Sequence, residues 1–393
     1  MMGYEKWTKE LDENYDQTVA WRRHLHENPE LSFREKYTAG FIKSTLEEIG
    51  VDKIATNVGN GYGLVARING AHEGPTIALR ADFDALEITE QADVPFKSKN
   101  EGIMHACGHD GHTASLLSVE KVLANHREDL HGDVVFIHQN AEEILPGGAQ
   151  SMVEAGVLDD VDYVFGIHLN SLVDSETVNF QPTFGASNAD FFTVTVDSNE
   201  DNPGDALVAA TAYLTQAQKI ASNMSDASKP VVVTFATVET SNDSYIETPD
   251  QVVLKGTVRT LHQETREFAM EKLDKLAQGI SLAFDVDAVS DYDVGYPSIK
   301  NTPQEVYRAV DAFNRVFPEE EVAELPIGMG GEDFSYYLEE KPGAFFRVGA
   351  KFKDDDSPYP HHHPKFIIDE SSLLRSGQVF LALVDEYIGK PTD

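Results

Sequence analysis

The sequence predicts an α/β fold, in which a mostly parallel sheet is flanked by helices and carries an inserted α+β domain. Apolar runs such as TIALRAD at 76–82 and DVVFIHQ at 133–139 alternate with segments of helical periodicity, which is typical of buried parallel strands. Between residues 186 and 294 the predicted order changes to β-α-β-β-α-β, the split βαβ pattern of ferredoxin-like units. Since that pattern is complete in itself, we expect a discontinuous domain, 1–185 with 295–393, and an insertion, 186–294.

Each predicted helix or strand follows from the periodic spacing of its apolar residues and from residues that typically end such elements. Pro29 ends the first predicted helix, Gly50 ends the second, and Asn69-Gly70 is a turn signal between two strands. Before the insertion we predict helices at 4–28, 34–49, 112–125 and 147–156, and strands at 51–56, 63–68, 76–82, 133–139 and 162–169. The insertion is predicted to hold strands at 191–196, 231–239, 251–260 and 285–293 and helices at 205–223 and 264–282. After it come helices at 303–316 and 370–388 and a strand at 344–350.

Composition limits the partners and the compartment. The 393 residues carry a formal charge of −36 and a pI of about 4.6, which argues against nucleic acid or an anionic membrane as a partner. The single cysteine excludes an internal disulfide and favours a reducing compartment. The first residues contain no apolar segment typical of a signal peptide, and no run approaches the roughly 18 apolar residues of a membrane span. We therefore expect a soluble, cytoplasmic protein.

Polar residues fall at or just past the carboxyl ends of three predicted strands. Asp82 and Asp84 follow TIALR. Glu142 and Glu143 follow VVFIHQ, and His168 ends DYVFGIHL. Open α/β sheets place their ligand sites outside this edge. The sequence therefore predicts that these side chains lie at one site.

The segment MHACGHDGHTASLL at 104–117 concentrates five potential metal ligands before an apolar helix. Thiolate, imidazole and carboxylate groups are the usual protein ligands of soft and borderline metals. Gly108 and Gly111 allow tight turns, so that several side chains can converge on one point. The alternative is a polar loop-to-helix junction whose histidines serve only as caps and solvent contacts. The candidate ligands are His105, Cys107, His109, Asp110 and His112.

Two adjacent carboxylates and three consecutive histidines extend the candidate site. In NAEEILPGG the turn can aim one of Glu142 and Glu143 at a metal and the other at the attacking water, a division that a hydrolase requires. The alternative is a solvated surface pair. Of His361, His362 and His363, at most two can face one point. Five ligands suit two metal ions better than one. The set is Cys107, His109, one of the two glutamates, His168 and one of the three histidines.

With these motifs the chain resembles the amidohydrolase branch of the di-metal aminoacylase and carboxypeptidase superfamily. That branch includes hippurate hydrolases, N-acetyl-amino-acid deacetylases and hydrolases of auxin–amino-acid conjugates. The matching segments cover nearly the whole chain, and HACGHDGH is highly specific. The segments are WRRHLHENPELSFREKYT at 21–38, LRADFDALEI at 79–88, MHACGHDGHTA at 104–114, Glu142-Glu143, GGAQSMVEAGVL at 147–158, GIHL at 166–169, GTVRT at 256–260, GGEDFSYY at 330–337 and HHPKF at 362–366.

The resemblance implies a role for each matching residue. Glu142 is then the general base and acid, and Asp84 orients its neighbours as an outer-shell group. Asp82 and Asp84 lie where the wider superfamily has a His ligand and an outer-shell Asp. Two divalent metal ions per subunit are implied, Mn(II) or Zn(II) ahead of Co(II) or Ni(II). The implied metal ligands are Cys107, His109, Glu143, His168 and His362, the last because it precedes Pro364 by two residues.

The chain departs from the family pattern in the insertion. The family carries a Gly-Gly-His-Ala segment after the first strand there, and its His, often supplied across a dimer, helps to hold the substrate carbonyl. This chain instead has DSNEDNPGDAL, with no His between His168 and His262, and YIETP at 245–249 replaces Asn-Val-Ile-Pro. Asn199 and Asn202 could donate to an oxyanion in the replaced segment, and ordinary turn residues are the alternative.

We expect a metal-dependent amidohydrolase that cleaves N-acyl amino acids or short peptides. Arg259 is the candidate for the substrate carboxylate, because a guanidinium fits that group, and a structural salt bridge is its alternative. Two other functions remain open: a dipeptidase or aminopeptidase of the same superfamily, and a metal-binding protein whose catalysis is weakened by the missing histidine. The insertion is expected to be a lid that pairs with its copy in a homodimer, since its edge strand would otherwise be open.

Overall fold

The chain forms two compact units. The computed structural model describes residues 2–199, 206–222, 228–354 and 356–389. Among the helices it describes, none is both long and apolar enough to cross a membrane. The first unit is Met1–Gly185 with Lys300–Pro326 and Asp333–Asp393, and the second is Ala186–Ile299 with Ile327–Glu332.

The described helices and strands are numbered here in chain order. The helices are α1 Met2–Glu13, α2 Tyr15–Glu27, α3 Lys36–Ile49, α4 His109–Asn125, α5 Ala149–Glu154, α6 Ala206–Ser222, α7 Gln263–Phe284, α8 Pro303–Val316, α9 Ser335–Glu340 and α10 Ser371–Ile388. The strands are β1 Lys53–Val58, β2 Gly63–Ile68, β3 His72–Asp82, β4 His131–Gln139, β5 Tyr163–Asp174, β6 Val178–Phe180, β7 Phe184–Ala186, β8 Asn188–Ser198, β9 Val231–Thr240, β10 Gln251–Thr260, β11 Val286–Tyr296, β12 Ile299–Lys300, β13 Val322–Glu324 and β14 Gly343–Lys351. Short 3₁₀ turns occupy Arg127–Asp129 and Glu319–Glu321.

The first unit is built on an eight-stranded sheet of order β1-β2-β4-β3-β5-β14-β6-β13. Its central strands β4, β3, β5 and β14 are parallel, and β1 and β2 add an antiparallel edge. The prediction of a large, mostly parallel sheet flanked by helices is therefore confirmed. The short strands β6 and β13 were not predicted, because three residues are too few to show a period.

Helix α4 lies at the centre of the first unit and begins with the last four residues of the HACGHDGH segment, 109–112. It contacts α2, α3, α10 and β3, and nearly all of its residues are buried. Tight packing explains Gly111, because a Cβ there would lie 2.6 Å from Leu169 Cδ1. The first turn of α4 is thus held rigidly by the core.

The predicted single helix at 4–28 is wrong, because α1 and α2 are separate helices divided at Asn14. Asn14 has φ −92° and ψ 1°, outside the helical range. Asparagine favours turns over helix interiors, since its side chain competes for backbone hydrogen bonds. The division lets α1 bury Trp7 and Leu11 while α2 buries Leu25, each in the core of the same unit.

The second unit has the element order β8-α6-β9-β10-α7-β11. Its four strands form an antiparallel sheet of order β11-β8-β10-β9, and α6 and α7 pack on it around a separate apolar core that includes Phe192, Tyr213 and Leu273. The insertion was predicted at 186–294, whereas this unit runs to Ile299 and includes Ile327–Glu332. Its action as a lid and in a homodimer stays a prediction.

A buried ion cluster connects α2 to the first turn of α4. His26 Nδ1 lies 2.9 Å from Asp110 Oδ2, and His26 Nε2 lies 3.2 Å from Glu90 Oε1. Arg22 Nε donates to the same oxygen of Asp110 at 2.8 Å. Burial alone would lower the pKa of His26, but the hydrogen bonds to Asp110 and Glu90 raise it above its ordinary value. Both ring nitrogens therefore act as donors in a protonated ring.

The cluster should make stability depend on pH through His26. A histidine whose pKa is higher in the folded state than in the unfolded state stabilises the fold. This contribution is complete at pH values below the unfolded-state pKa of about 6.5, and it is lost as the pH rises through the folded-state pKa. Urea unfolding of metal-free wild type and His26→Gln should show the largest stability difference near pH 6 and a smaller one near pH 9. A difference that grows with pH would contradict this assignment of charge.

Candidate metal centre and active site

The candidate site lies at the carboxyl edge of the parallel strands in the first unit. β3 ends at Asp82, which pairs with Gln139 at the end of β4. β5 was predicted to end soon after His168 but continues to Asp174, because β14 pairs with it that far. Pairing with β3 stops at Gly166. His168 is therefore inside a strand, yet it lies past the β3 pairing and at the same edge of the sheet.

Cys107 and His168 face each other across this edge. Gly108, with φ 93°, turns the chain from Cys107 into α4, and Cys107 Sγ lies 3.4 Å from His168 Nε2. His168 Nδ1–H donates to the carbonyl of Leu169 at 2.6 Å, so Nε2 keeps its lone pair. Burial, followed by the nearby groups His112, His361 and Arg347, lowers the pKa of His168 well below its ordinary value. A neutral imidazole with a free Nε2 is the form that binds metal.

Asp84 fixes the orientation of His109. His109 Nδ1 lies 3.0 Å from the carbonyl oxygen of Asp84 and 3.1 Å from its Oδ1, which places the ring proton on Nδ1. His109 Nε2 is buried without a hydrogen-bond partner among the described residues, 3.6 Å from Asp82 Oδ2 and 3.8 Å from Glu143 Oε1. Burial alone would lower the pKa of His109, but the three carboxylates raise it to about 10. The surroundings thus favour a positive charge at Nε2, which a proton or a metal ion can supply.

Glu142 and Glu143 lie in a turn directly after β4. Ala141 begins the turn with φ 52°, and the N–H of Glu143 donates to Asp84 Oδ2 at 3.0 Å. Glu142 is 7% exposed, and Glu143 Oε1 is a buried atom without a hydrogen-bond partner in the described part of the chain. The two side chains are therefore parts of the site rather than a solvated surface pair.

The three consecutive histidines have different surroundings. His362, with φ 63°, places Nε2 3.3 Å from Glu143 Oε1. His361 Nε2–H donates to a backbone carbonyl at 2.9 Å, and His363 stacks on Tyr359 with 4.4 Å between ring centroids. The left-handed backbone at His362 thus separates its side chain from both neighbours and brings it to the candidate site.

The donor groups fit a divalent metal ion. Burial, Glu143 and Glu142 raise the pKa of the Cys107 thiol well above its ordinary value, so this pocket is unfavourable for a thiolate unless a cation neutralises the carboxylates. His109 Nε2 and Glu143 Oε1, which are buried without a hydrogen-bond partner among the described residues, would also be stabilised by a cation. Among the described residues, three sets made only of the implied ligands and Glu142 offer one donor atom per residue within 4.8 Å of one another: Cys107, His109 and His168; Cys107, Glu143 and His362; and His109, Glu142 and Glu143.

Asp82 and His112, which the sequence named separately as candidate site residues, form a supporting pair. Asp82 Oδ2 accepts from Arg80 at 2.7 Å, and Asp82 Oδ1 accepts from His112 Nδ1 at 2.6 Å. His112 Nε2 accepts the N–H of Leu169 at 2.9 Å, so both of its nitrogens are used. The signal available in the sequence was the spacing of Arg80 and Asp82, since residues two apart on a strand share a face.

The remaining sequence candidates lie elsewhere. Asp110 belongs to the ion cluster with His26, and His105 is buried with a pKa lowered by burial to about 4. Asn199 Nδ2 donates to the carbonyl of Asp285 within the second unit. Asn202 lies outside the described residues. Arg259 is a half-buried residue of β10.

Comparisons with known proteins agree with a metal-dependent hydrolase. The model of Peptidase family M20/M25/M40 matches residues 78–386. The N-acetylcysteine deacetylase of Bacillus subtilis is 35% identical over 376 residues, which cover 93% of this chain and 95% of that protein. Thermostable carboxypeptidase 2 of Saccharolobus solfataricus is 32% identical over 391 residues, with 97% of each chain covered.

A solved structure extends the likeness over the whole fold. The YXEP protein of Bacillus subtilis, a dinuclear metal binding peptidase from the M20 family, matches with a TM-score of 0.82 and 33% identity. The match covers 95% of this chain and 98% of that one. The chain therefore belongs to peptidase family M20/M25/M40 and is a metallo-amidohydrolase.

Proposed function

We propose that this protein hydrolyses the amide bond of N-acyl amino acids, such as N-acetyl or N-benzoyl derivatives. The observation that carries the proposal is the grouping of Glu142 with His109 and Glu143, whose donor atoms lie within 4.8 Å of one another. One carboxylate can then serve as a base while its neighbour holds a cation. The deacetylase among the relatives supports an N-acyl amino acid as the substrate.

In this proposal two divalent ions bind per chain, Mn(II) or Zn(II) ahead of Co(II) or Ni(II). Cys107, His109 and Glu143 each belong to two of the three donor sets, so the residues that would hold the ions are close to one another. When bound, the ions supply a nucleophile at neutral pH by lowering the pKa of water from about 15.7 towards roughly 7. The ligands are Cys107, His109, Glu143, His168 and His362.

Glu142 moves the proton in the proposed reaction. Its carboxylate accepts a proton from the attacking water while the water oxygen forms a bond to the amide carbon. The same carboxyl group then donates that proton to the leaving nitrogen as the carbon–nitrogen bond breaks. Asp84 keeps the base in place by accepting from Glu143 N–H and fixing the His109 tautomer. The products are a carboxylic acid and a free amino acid.

Arg259 is proposed to bind the free carboxylate of the substrate. Burial lowers the pKa of Arg259, and its charged neighbour Asp190 is already bound twice by Arg266, at 2.9 and 2.6 Å. A structural salt bridge to Asp190 therefore explains Arg259 less well than a ligand does. We further propose that the second unit is a ferredoxin-like lid, and that one of its two edge strands, β9 or β11, pairs with a second copy in a homodimer.

Two other activities have specific support. The carboxypeptidase among the relatives favours a peptide substrate, since the bond that is broken is of the same kind. The absence of the family's lid histidine favours a metal binder with weak catalysis, because losing one oxyanion donor costs about 100- to 1,000-fold in rate. A protein that only binds metal does not require a base, so the buried Glu142 favours catalysis.

A substrate panel tests the proposal directly. N-acetyl and N-benzoyl amino acids and unblocked dipeptides should be compared with Mn(II), Zn(II), Co(II) and Ni(II), each at the same protein concentration. The proposal expects a higher kcat/KM for the N-acyl compounds than for the dipeptides. Faster cleavage of dipeptides would favour the peptidase, and metal binding without turnover of any compound would favour the weakened metal binder.

Mutation should distinguish the roles of the two adjacent glutamates. Glu142→Gln should retain metal but lose about 100- to 10,000-fold in kcat, because a positioned acid–base group is worth that much. Glu143→Ala should instead lose metal affinity, because it removes a ligand. Both variants should be compared by kinetics and by elemental analysis of bound metal, with the exposed Glu154→Gln as control. The reverse pattern would mean that the roles of Glu142 and Glu143 are exchanged.

Cys107→Ala should lose at least one of the two metal ions. Removing the thiol takes a buried donor atom from two of the donor sets, so metal affinity should fall. Inductively coupled plasma mass spectrometry on dialysed wild type and variant measures this, and circular dichroism controls for folding. An unchanged metal content in folded Cys107→Ala would show that Cys107 is not a ligand.

A further inference from the structure

The backbone amide before Glu142 is held by a carboxylate from a distant part of the sequence. Glu35, the residue before α3, is fully buried, and its Oε1 accepts the N–H of Ala141 at 2.8 Å. Ala141 has φ 52°, a left-handed conformation that is uncommon for residues other than glycine. Such a conformation persists only where the surroundings enforce it, and the hydrogen bond to Glu35 is one such constraint.

The amide after Glu142 is held in the same way by a second carboxylate. The N–H of Glu143 donates to Asp84 Oδ2 at 3.0 Å, and Ser32 Oγ donates to the same oxygen at 2.7 Å. The peptide units Asn140–Ala141 and Glu142–Glu143, which flank the position of Glu142 in the turn, are therefore each held by a buried acceptor. With its backbone held at two points, the direction of the Glu142 side chain is restricted before any substrate binds.

The segment that carries Glu35 is itself rigidly attached to the loop after β3. The N–H of Ala85 donates to the carbonyl of Glu30 at 2.8 Å, and Leu31 forms a β-bridge with Ala85. Glu30 Oε2 also accepts the N–H of Thr38 at 2.7 Å in the first turn of α3. Glu35 and Asp84 thus belong to one framework, so the two acceptors keep a fixed separation.

Glu35 is an unfavourable residue for a purely structural role. Burial, followed by the charge of Asp84, raises the pKa of Glu35 to about 8. Its Oε2 has no hydrogen-bond partner among the described residues. Burying a carboxyl group with an unsatisfied oxygen destabilises a fold, and glycine at position 141 would adopt the same φ without an acceptor. Groups perturbed in this way are concentrated at functional sites.

We propose that Glu35 is a positioning residue that holds the Ala141–Glu143 turn, so that Glu142 faces the water and the scissile amide. The inference rests on the proposed function, in which Glu142 is the base. Glu35 acts through the backbone of Ala141 and does not touch the substrate. What it contributes is an acceptor at a fixed position, so a neutral group of the same shape can replace it.

The test compares Glu35→Ala, which removes the acceptor, with Glu35→Gln, whose amide carbonyl keeps it. Since small misplacements of a catalytic group cost on the order of 100-fold, Glu35→Ala should lower kcat by about 10- to 100-fold, with KM within about threefold and metal content unchanged. Glu35→Gln should stay within about threefold of wild-type kcat, because Ala141 N–H retains its partner. Glu120→Ala is the matched control, since Glu120 is also fully buried but hydrogen-bonds to His138.

Hydrogen-exchange mass spectrometry of residues 139–146 gives a readout that does not depend on turnover. Exchange there should be faster in Glu35→Ala than in wild type, Glu35→Gln and Glu120→Ala. If wild type hydrolyses no N-acyl amino acid, the proposed function fails, while this measurement still decides whether Glu35 holds the turn. The inference would be overturned if hydrogen exchange in Glu35→Ala were unchanged, or if folded Glu35→Ala had the wild-type kcat. It would also be overturned if the Ala and Gln variants lost kcat equally, or if metal content fell in parallel with kcat.

Discussion

The Asp84 carboxylate joins the three segments on which the site depends. Its oxygens lie 3.1 Å from His109 Nδ1, 3.0 Å from the nitrogen of Glu143 and 2.7 Å from Ser32 Oγ. Asp84 is buried, which alone would raise its pKa, but these donors hold the pKa below its usual range. One ionised group therefore sets the tautomer of His109, the course of the Glu142–Glu143 turn and the position of the amino-terminal segment. A neutral Asn could not accept all three hydrogen bonds at the same oxygens.

Negative charge is in excess around the donor atoms, and this explains their unusual protonation. The carboxylates of Asp82, Asp84 and Glu143 raise the pKa of His109, while Glu143 and Glu142 act with burial to raise that of the Cys107 thiol. Both effects oppose the deprotonated forms that bind metal, and both are reversed once a divalent cation occupies the same space. Metal binding should thus release protons and stabilise the fold at the same time.

Sequence patterns predicted the strands that carry the site, because segments of seven or eight residues with an apolar centre, such as TIALRAD and DVVFIHQ, are typical of buried strands. They also predicted that polar residues after β3 and β4 converge, since parallel strands end at one edge. They did not predict the division at Asn14, although asparagine favours turns. They could not predict the continuation of β5 past His168, because it is decided by pairing with β14. The role of Glu35 was hidden for the same reason: its partner Ala141 is 106 residues away.

Under the proposed function, the histidine that the insertion lacks would bear on turnover rather than on the metal site. Glu142, Asp84 and the donor atoms of Cys107, His109 and His362 all belong to the first unit, which has its own core and its own hydrogen-bond framework. A substitution in the second unit therefore leaves the metal donors and the base intact. Its effect falls on stabilisation of the developing oxyanion, which accelerates the reaction without holding the ions. Metal affinity is thus expected to depend on the first unit alone, whereas kcat depends on Glu142 of that unit and on how well the developing oxyanion is stabilised.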